Sequence, residues 1–268
     1  MSDTQGAINS DDIEREANQR LERAERLLLE AERLLSNEAD RIGGLRAGLL
    51  RQRAWRAAQS IRGWKPTWFS QAGQDKYLDE QVFGGRRKGF FLDVGGYDGV
   101  SGSNTLFFEL FRDWDGILIE PTPNFFELAR QSRRCRCLQT AVAGETGEAE
   151  FMFVKSGFRQ MSGLTSSYDQ TVLEKVRADQ RHEEQSIKVM TQTLGDILRE
   201  AGVRQVDYVS LDVEGAEPGI LNAFEFDEFD IRAWSIENND GDDAIANLMA
   251  SKGYRRARCI GSDEIYVK

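Results

Sequence analysis

The sequence predicts an α/β protein whose core is a doubly wound, mostly parallel sheet, with a helical extension in front of it. Three observations support this fold class. From residue 88 onward, short apolar runs alternate with helical patterns, as in doubly wound sheets. The first apolar run ends in a glycine turn, and such turns lie at the ligand-binding edge of these sheets. Before residue 66, leucines recur every seven residues.

The strands and helices of the predicted sheet follow in chain order. "GFFLDVGG" predicts a first strand, and residues 103–113 predict a helix behind it. A second strand is expected at 116–121, a helix at 122–132 and a continuous third strand at 135–143. The later strands are expected at 206–215, 233–239 and 264–267. Residues 145–205 then form an insertion above the binding edge, and we expect it to cover the acceptor.

Residues 1–65 are expected to form a separate helical extension, with the sheet domain at 66–268. Leu21, Leu28, Leu35 and Ile42 occupy one position of a heptad within a helix predicted over 11–42. This pattern is typical of a coiled coil that would make the protein a homo-oligomer. A helix packed on its own domain explains it equally well, and both interpretations stay open.

Composition and charge exclude several classes. The 268-residue chain is 40% hydrophobic, which indicates a globular protein. It carries a net charge of -10, and by subtraction residues 66–268 carry about -11. Such an acidic domain disfavours a nucleic-acid partner. No apolar run is long enough to span a bilayer, no signal peptide is evident, and the cysteines are odd in number. We therefore expect a cytoplasmic protein with reduced thiols.

The segment 45–62 is basic and interleaved with apolar residues. Such a helix can lie on an anionic membrane surface as a peripheral contact. It can also neutralise the acidic domain that follows, and we favour this second interpretation because one short basic helix gives weak membrane affinity.

Acidic residues stand at the ends of the predicted strands. Asp93, Glu120, Asp212 and Glu237 would meet at one edge, where they would repel each other unless a cationic or hydroxyl-rich ligand lay between them. Glu120 follows the glycine turn by some twenty residues, a position that suits a ribose-binding acid. Acids beside the turn fit a ligand without phosphates, such as S-adenosylmethionine. Alternatively, Asp93 orients the turn and Asp98 caps the next helix.

Several motifs resemble the FkbM family of S-adenosylmethionine-dependent methyltransferases, in the order "SQAGQDKYL", "FFLDVGGYDGVSGSNTLFFE", "DWDGILIEPTPNFFELA", "MSGLTS" and "DYVSLDVEGAEPGIL". The resemblance covers about residues 68–268. It implies a class I methyltransferase fold, Rossmann-like, with seven strands and an antiparallel last strand. It also implies methylation of a hydroxyl, chiefly on sugars, glycolipids or polyketides, and thus a role in polysaccharide or glycoconjugate assembly.

With this resemblance, the expected S-adenosylmethionine contacts are Gln74, Asp93, Gly95, Asp98, Asn104, Glu120, Ala141 and Asp212. The adenine is the least defined part, because no acid follows the third strand and backbone groups around Ala141 must serve instead. Expected acceptor contacts are Ser162, Gly163, Glu214 and Asn238.

Catalysis is expected at Asp212, as a general base or as a metal ligand. In one alternative, Asp212, Glu237 and Asn238 hold Mg²⁺. In the other, catalysis is metal-free and Glu237 and Asn238 hydrogen-bond the sugar. His182, the only histidine, is a further candidate base, although its charged neighbours favour a solvated position.

Two other function classes compete with the methyltransferase. A nicotinamide-dependent oxidoreductase would use the same kind of sheet, but the chain lacks a GxGxxG motif and a second domain. A non-enzymatic interaction module on a degenerate methyltransferase fold is the other alternative, and the intact strand-end acids disfavour it.

Overall fold

The structure is a computed structural model that describes residues 10–42, 46, 48, 50, 53–54, 67–168, 170–239 and 241–268. The chain divides into two units, Met1–Lys65 and Pro66–Lys268.

In the first unit, helix α1 runs from Ser10 to Ile42, as its heptad pattern predicts. Leu28 and Leu35 are half-buried, whereas Leu21 is 67% exposed and Leu34 is 62% exposed. Coiled-coil pairing stays a prediction. The basic segment 45–62 lies mostly outside the described residues. Within the described part of the chain, no helix combines the length and the apolar character needed to cross a membrane.

The second unit contains a seven-stranded sheet in the order β10-β11-β9-β8-β1-β2-β3. The strands β3, β2, β1, β8 and β9 pair with one another in parallel, and the last strand, β11, is antiparallel to both β9 and β10. This is the predicted doubly wound sheet with an antiparallel last strand. Its strands are β1 (Phe90–Val94), β2 (Asp115–Ile119), β3 (Arg136–Leu138), β8 (Gln205–Leu211), β9 (Asp230–Glu237), β10 (Arg255–Ile260) and β11 (Asp263–Val267).

Helices cover both faces of this sheet. The described helices of the second unit are α2 (Gln74–Tyr77), which continues as a π-helix (Leu78–Phe83), α3 (Leu106–Phe111), α4 (Pro123–Ser132), α5 (Gln170–Arg177), α6 (Leu194–Ala201), α7 (Glu217–Ala223) and α8 (Ala244–Ser251). Of these, α5 packs with β5 (Gly147–Ser156) of a second sheet rather than on the large one. Side chains of β1 alternate between the faces: Leu92 and Val94 pack in the cluster with α6, α7 and α8, while Phe91 packs in the cluster with α3. The strand is therefore apolar on both sides, as expected for a buried parallel strand.

The expected third strand at 135–143 is wrong as one element. It divides into β3, at the edge of the large sheet, and β4 (Ala141–Val142), which belongs to a second sheet. That sheet, β4-β7-β5-β6, is completed by β5 (Gly147–Ser156), β6 (Gly163–Leu164) and β7 (Glu183–Gln192). The insertion is therefore an ordered sheet, and its β5–β7 pairing spans most of both strands.

Candidate active site

A pocket of about 410 Å³ lies at the carboxyl edge of the large sheet. It is lined by residues at the ends of β1, β2 and β8, by the last residue of β9 and by the first residue of β11. Of the predicted site residues, it brings together Gln74, Asp93, Gly95, Asn104, Glu120, Ala141, Ser162, Asp212, Glu214 and Glu237. Asp98, Gly163, His182 and Asn238 are not among its lining residues.

The glycine turn after β1 is required by contacts within the protein. Gly95 has φ +83°, and a Cβ there would lie 1.8 Å from the carbonyl oxygen of Asp212. A Cβ on Gly96 would lie 2.4 Å from the Leu118 side chain. The glycines allow the turn after β1 to approach β2 and the end of β8 closely, and Gly95 and Gly96 also line the pocket.

Asp93 is buried at the end of β1 and lies in a network of polar side chains. Its Oδ2 accepts a hydrogen bond from the Thr105 hydroxyl, and Arg133 Nη1 lies 3.4 Å from the same oxygen. Burial raises the pKa of Asp93, and the Arg133 charge and the Thr105 bond partly oppose this shift.

Asp98 serves the loop after the turn. Its Oδ1 accepts hydrogen bonds from the amides of Val100 (2.9 Å) and Ser101 (2.7 Å), and its Oδ2 accepts one from the Ser101 hydroxyl. The carboxylate of Asp98 therefore stabilises the backbone between β1 and α3, away from the pocket lining. The sequence offered Asp98 as a cap for the next helix, but Thr105 is the residue before α3, and the Asp98 carboxylate bonds the loop instead.

Glu120 follows β2 and lines the pocket. Its two carboxylate oxygens accept backbone hydrogen bonds from Tyr97 (3.0 Å) and Thr122 (2.8 Å). Burial raises the pKa of Glu120 to about 7 despite these bonds. Each oxygen has a second lone pair for a ligand, so the side chain can accept hydrogen bonds from a diol.

Asp263 is a pocket residue that the sequence analysis missed. It opens β11, is buried, and its Oδ2 accepts hydrogen bonds from Gln74 Nε2 (3.2 Å) and Asn104 Nδ2 (3.5 Å). Burial raises its pKa to about 6. Asn104 also donates to the Ser210 hydroxyl at 3.0 Å, while its Oδ1 is buried without a hydrogen-bond partner. That oxygen is a free acceptor in the pocket wall.

Three carboxylates converge at the ends of β8 and β9. One oxygen each from Asp212, Glu214 and Glu237 lies within 4.8 Å of the other two. Burial and mutual repulsion raise all three pKa values: that of Asp212 well above its usual range, that of Glu237 to about 8 and that of Glu214 to about 9. Without a cation, the cluster therefore retains protons at neutral pH.

Asn238, predicted with Asp212 and Glu237 as a metal ligand, uses its side-chain amide within the loop after β9. Its Nδ2 donates to the carbonyl of Asp242 at 2.9 Å, and its Oδ1 accepts from the amide of Gly241 at 3.0 Å. Its amide therefore closes the loop after β9, and Glu214 takes the expected third position. Asn238 does line a second cavity of about 80 Å³, which shares Glu214 and Glu237 with the main pocket.

Two residues of the insertion have mainly structural contacts. The Ser162 hydroxyl accepts a hydrogen bond from Val154 N and donates to Arg159 O, both at 3.0 Å. A Cβ on Gly163 would lie 3.0 Å from the Tyr168 ring and 3.4 Å from Glu214. Both residues therefore fix the wall beside Glu214.

His182 lies away from the pocket lining. Its Nε2 is 2.8 Å from Glu184 Oε2, and its side chain is 10% exposed. The side chain of His182 is therefore less solvated than its charged sequence neighbours predict. The structure gives His182 an acidic neighbour in the insertion and no place among the pocket residues.

Ala141, in β4, lines the pocket together with Val142, Ile119 and Phe125. Apolar side chains at this end, beside Glu120, form a surface on which a planar base can lie.

Comparison with known proteins decides the family. The family model described as "Methyltransferase FkbM domain" matches residues 93–256, more than half of the chain. The chain belongs to the FkbM methyltransferase family. The match includes four acids of the pocket that stand at strand ends, Asp93, Glu120, Asp212 and Glu237. Asp263, at the start of β11, lies beyond the matched residues.

Solved structures of methyltransferases are similar at low identity. An FkbM methyltransferase from Methylobacillus flagellatus KT is 10% identical with a TM-score of 0.44; the alignment covers 89% of this chain and 58% of that one. A TehB-like SAM-dependent methyltransferase from Corynebacterium glutamicum is 11% identical with a TM-score of 0.38, covering 82% and 97%. A methyltransferase from Pyrococcus furiosus is 13% identical with a TM-score of 0.38, covering 83% and 96%. No curated protein matched the chain.

Proposed function

We propose that this FkbM-family protein is an S-adenosylmethionine-dependent O-methyltransferase that acts on a sugar hydroxyl of a polysaccharide or glycoconjugate. The observation that carries the proposal is the ring of acids around one pocket at the carboxyl edge of the sheet, in a chain of this family. A volume of about 410 Å³ is in the range of small-molecule sites. The free cysteines are consistent with a reducing, cytoplasmic setting.

The pocket residues fit S-adenosylmethionine. Glu120 would accept hydrogen bonds from the ribose hydroxyls, and the apolar surface around Ala141 would contact the adenine. The buried, unpartnered Oδ1 of Asn104 is an acceptor suited to an ammonium donor. Asp93 and Asp263, on either side, supply negative charge for the same cationic group.

When bound, S-adenosylmethionine supplies a methyl group that is activated by a sulfonium. The chain's own residues hold and accept protons. Burial raises the pKa of Glu237 to about 8 and that of Asp212 well above its usual range. The ionised form of either carboxylate can act as the general base that takes the proton of an alcohol. Glu214 lies beside them and can retain a proton or orient the acceptor.

A divalent cation is the alternative for the same cluster. Asp212, Glu214 and Glu237 offer hard oxygen ligands within 4.8 Å of one another, the donor type that Mg²⁺ prefers. A bound cation would lower the pKa of an acceptor hydroxyl. The orphaned Oε2 atoms of Glu214 and Glu237 are available for either a cation or a hydroxyl.

The second cavity supports a polyhydroxylated acceptor. It adjoins the three-acid cluster, and its polar lining is carboxyl and amide, with Glu217, Asn239 and Asp242 besides Glu214, Glu237 and Asn238. Such side chains hydrogen-bond hydroxyl groups in several directions.

The test is methyl transfer from labelled S-adenosylmethionine to a panel of neutral and amino sugars, oligosaccharides and simple alcohols, with products identified by mass. We expect one added methyl group on a saccharide oxygen. Each reaction is repeated with EDTA, and then with Mg²⁺ restored. Loss with EDTA and recovery with Mg²⁺ supports the metal; an unchanged rate rejects it. Transfer to nitrogen or carbon only, or to no member of the panel, contradicts the proposed reaction.

A further inference from the structure

Arg133, which follows the last residue of α4, is fully buried against the strand that carries Asp93. Its Nε donates to Glu109 at 3.0 Å, its Nη1 lies 3.4 Å from Asp93 Oδ2, and its Nη2 donates to the Thr105 hydroxyl at 2.9 Å. One guanidinium therefore contacts two buried acids and the hydroxyl next to one of them. The pattern of the sequence gave no reason to select this arginine.

Thr105 connects Arg133 to Asp93. Its hydroxyl accepts from Arg133 and donates to Asp93 Oδ2, and it is fully buried. Both donors reach the same carboxylate oxygen of Asp93, whose side chain lines the pocket. Arg133 also donates to the carbonyl of Gly99 and to the Ser103 hydroxyl. The arginine therefore fixes both Asp93 and the loop that forms the pocket wall.

The groups that face Asp93 act on its charge in opposite directions. Burial raises its pKa, the positive charge of Arg133 and the Thr105 hydrogen bond lower it, and the charge of Glu109 on α3 raises it. Glu109 itself stays ionised, because Arg133 and the amides that follow Arg133 outweigh its burial and lower its pKa. Tyr208 on β8 is neutral, since burial raises its pKa well above the usual value. Cys137 on β3 also senses the charge of Asp93.

We propose that Arg133 is a positioning residue for ligand binding: directly and through Thr105, it holds Asp93 as a charged carboxylate facing the pocket. The pocket thereby accepts the cationic amino-acid end of its ligand at neutral pH. This inference rests on the proposed function, because it needs a ligand with an ammonium group beside Asp93. Neither Arg133 nor Thr105 contacts the ligand in this account; both act through Asp93.

Two variants separate this role from a merely structural one, because they should shift the pH midpoint of ligand binding in opposite directions. Thr105→Val removes the hydroxyl bonded to Asp93 and keeps the shape of the side chain. Glu109→Gln removes the negative charge that competes for Arg133 and keeps an acceptor for its N–H groups. We measure the affinity for S-adenosylhomocysteine, which has the same amino-acid end, by calorimetry from about pH 5.5 to about pH 8.5, with far-UV circular dichroism as the folding control.

In the wild type, affinity should fall as pH falls through the titration of Asp93. In Thr105→Val, the midpoint should move up by roughly one pH unit, which is about tenfold weaker binding below the midpoint and little change near pH 8.5. In Glu109→Gln, the midpoint should move down. Equal midpoints in all three proteins, or a shift of both variants in the same direction, would overturn the role of Arg133. No binding by the wild type at any pH would instead contradict the proposed function.

Discussion

Glu120→Gln tests the ribose assignment and the electrostatics of the pocket together. The change removes the negative charge and one acceptor oxygen while keeping the side chain's size. Charge-assisted hydrogen bonds contribute about 1.5–3 kcal/mol each, so we expect S-adenosylhomocysteine to bind about 2 kcal/mol more weakly at pH 8, or roughly 30-fold. Because the pKa of Glu120 is about 7 and ribose donors favour the ionised form, wild-type affinity should rise with pH through 7. Glu120→Gln should lose this rise of affinity with pH.

The same substitution should stabilise the free protein. A carboxyl whose pKa is raised by folding binds its proton more tightly in the native state, so its contribution to stability is lost as pH rises from about 4.5 toward about 7. At pH 8, where Glu120 must be ionised, the buried charge lowers the free energy of unfolding by roughly 3 kcal/mol. The neutral glutamine of Glu120→Gln should restore part of this free energy. Calorimetric titration and thermal unfolding at pH 5 and pH 8 give both quantities. Glu127→Gln, on α4 and outside the pocket lining, is the control for ligand binding. An affinity within about twofold of wild type would refute the ribose assignment.

Further predictions concern the turn, the acid cluster and the first helix. Gly95→Ala should lower the free energy of unfolding in urea by at least about 3 kcal/mol, because the added Cβ would meet the Asp212 carbonyl oxygen. Gly253→Ala, at a similar φ but with open space around it, should lower it by only about 1 kcal/mol. Equal losses in the two variants would refute the close-approach argument. The unfolding temperature of the free protein should fall between pH 6 and pH 9, because the pKa values of Glu237 and Glu214 are raised by folding to about 8 and about 9 and both groups lose protons there. An unchanged slope of unfolding temperature against pH in Glu237→Gln would contradict this. Light scattering should give a dimer mass that Leu28→Lys with Leu35→Lys reduces to a monomer; a monomeric wild type would favour the packed helix.

Parallel strands made much of the site predictable from sequence. Because the carboxyl ends of β1, β2, β8 and β9 share one edge, an acid at the end of each apolar run could be placed without coordinates. Asp93, Glu120, Asp212 and Glu237 all line the pocket as expected. The helix that follows the glycine loop also follows from local pattern, and the antiparallel last strand follows from the family resemblance.

The residues that were missed depend on contacts distant in sequence. Asp263 reaches the edge only because β11 is antiparallel, so that its first residue pairs with the last residue of β9, Glu237. Arg133 appears in the sequence as one of many arginines, and only packing of α4 against β1 buries it. The role of Asn238 in the loop after β9 was also not predicted, because that loop turns back on itself and uses the amide for its own closure. In each case tertiary structure decided between local alternatives of similar appearance.

Calorimetric titration of the wild-type chain with S-adenosylmethionine, S-adenosylhomocysteine and NAD⁺ tests the central claim most directly. The pocket geometry predicts binding of one molecule of either S-adenosyl compound per chain, with affinity lowered by Glu120→Gln, and no heat from NAD⁺. Binding of NAD⁺ in preference to both would identify an oxidoreductase instead. No binding of any of the three, by protein that is folded by circular dichroism, would favour the non-enzymatic module and contradict the methyltransferase assignment.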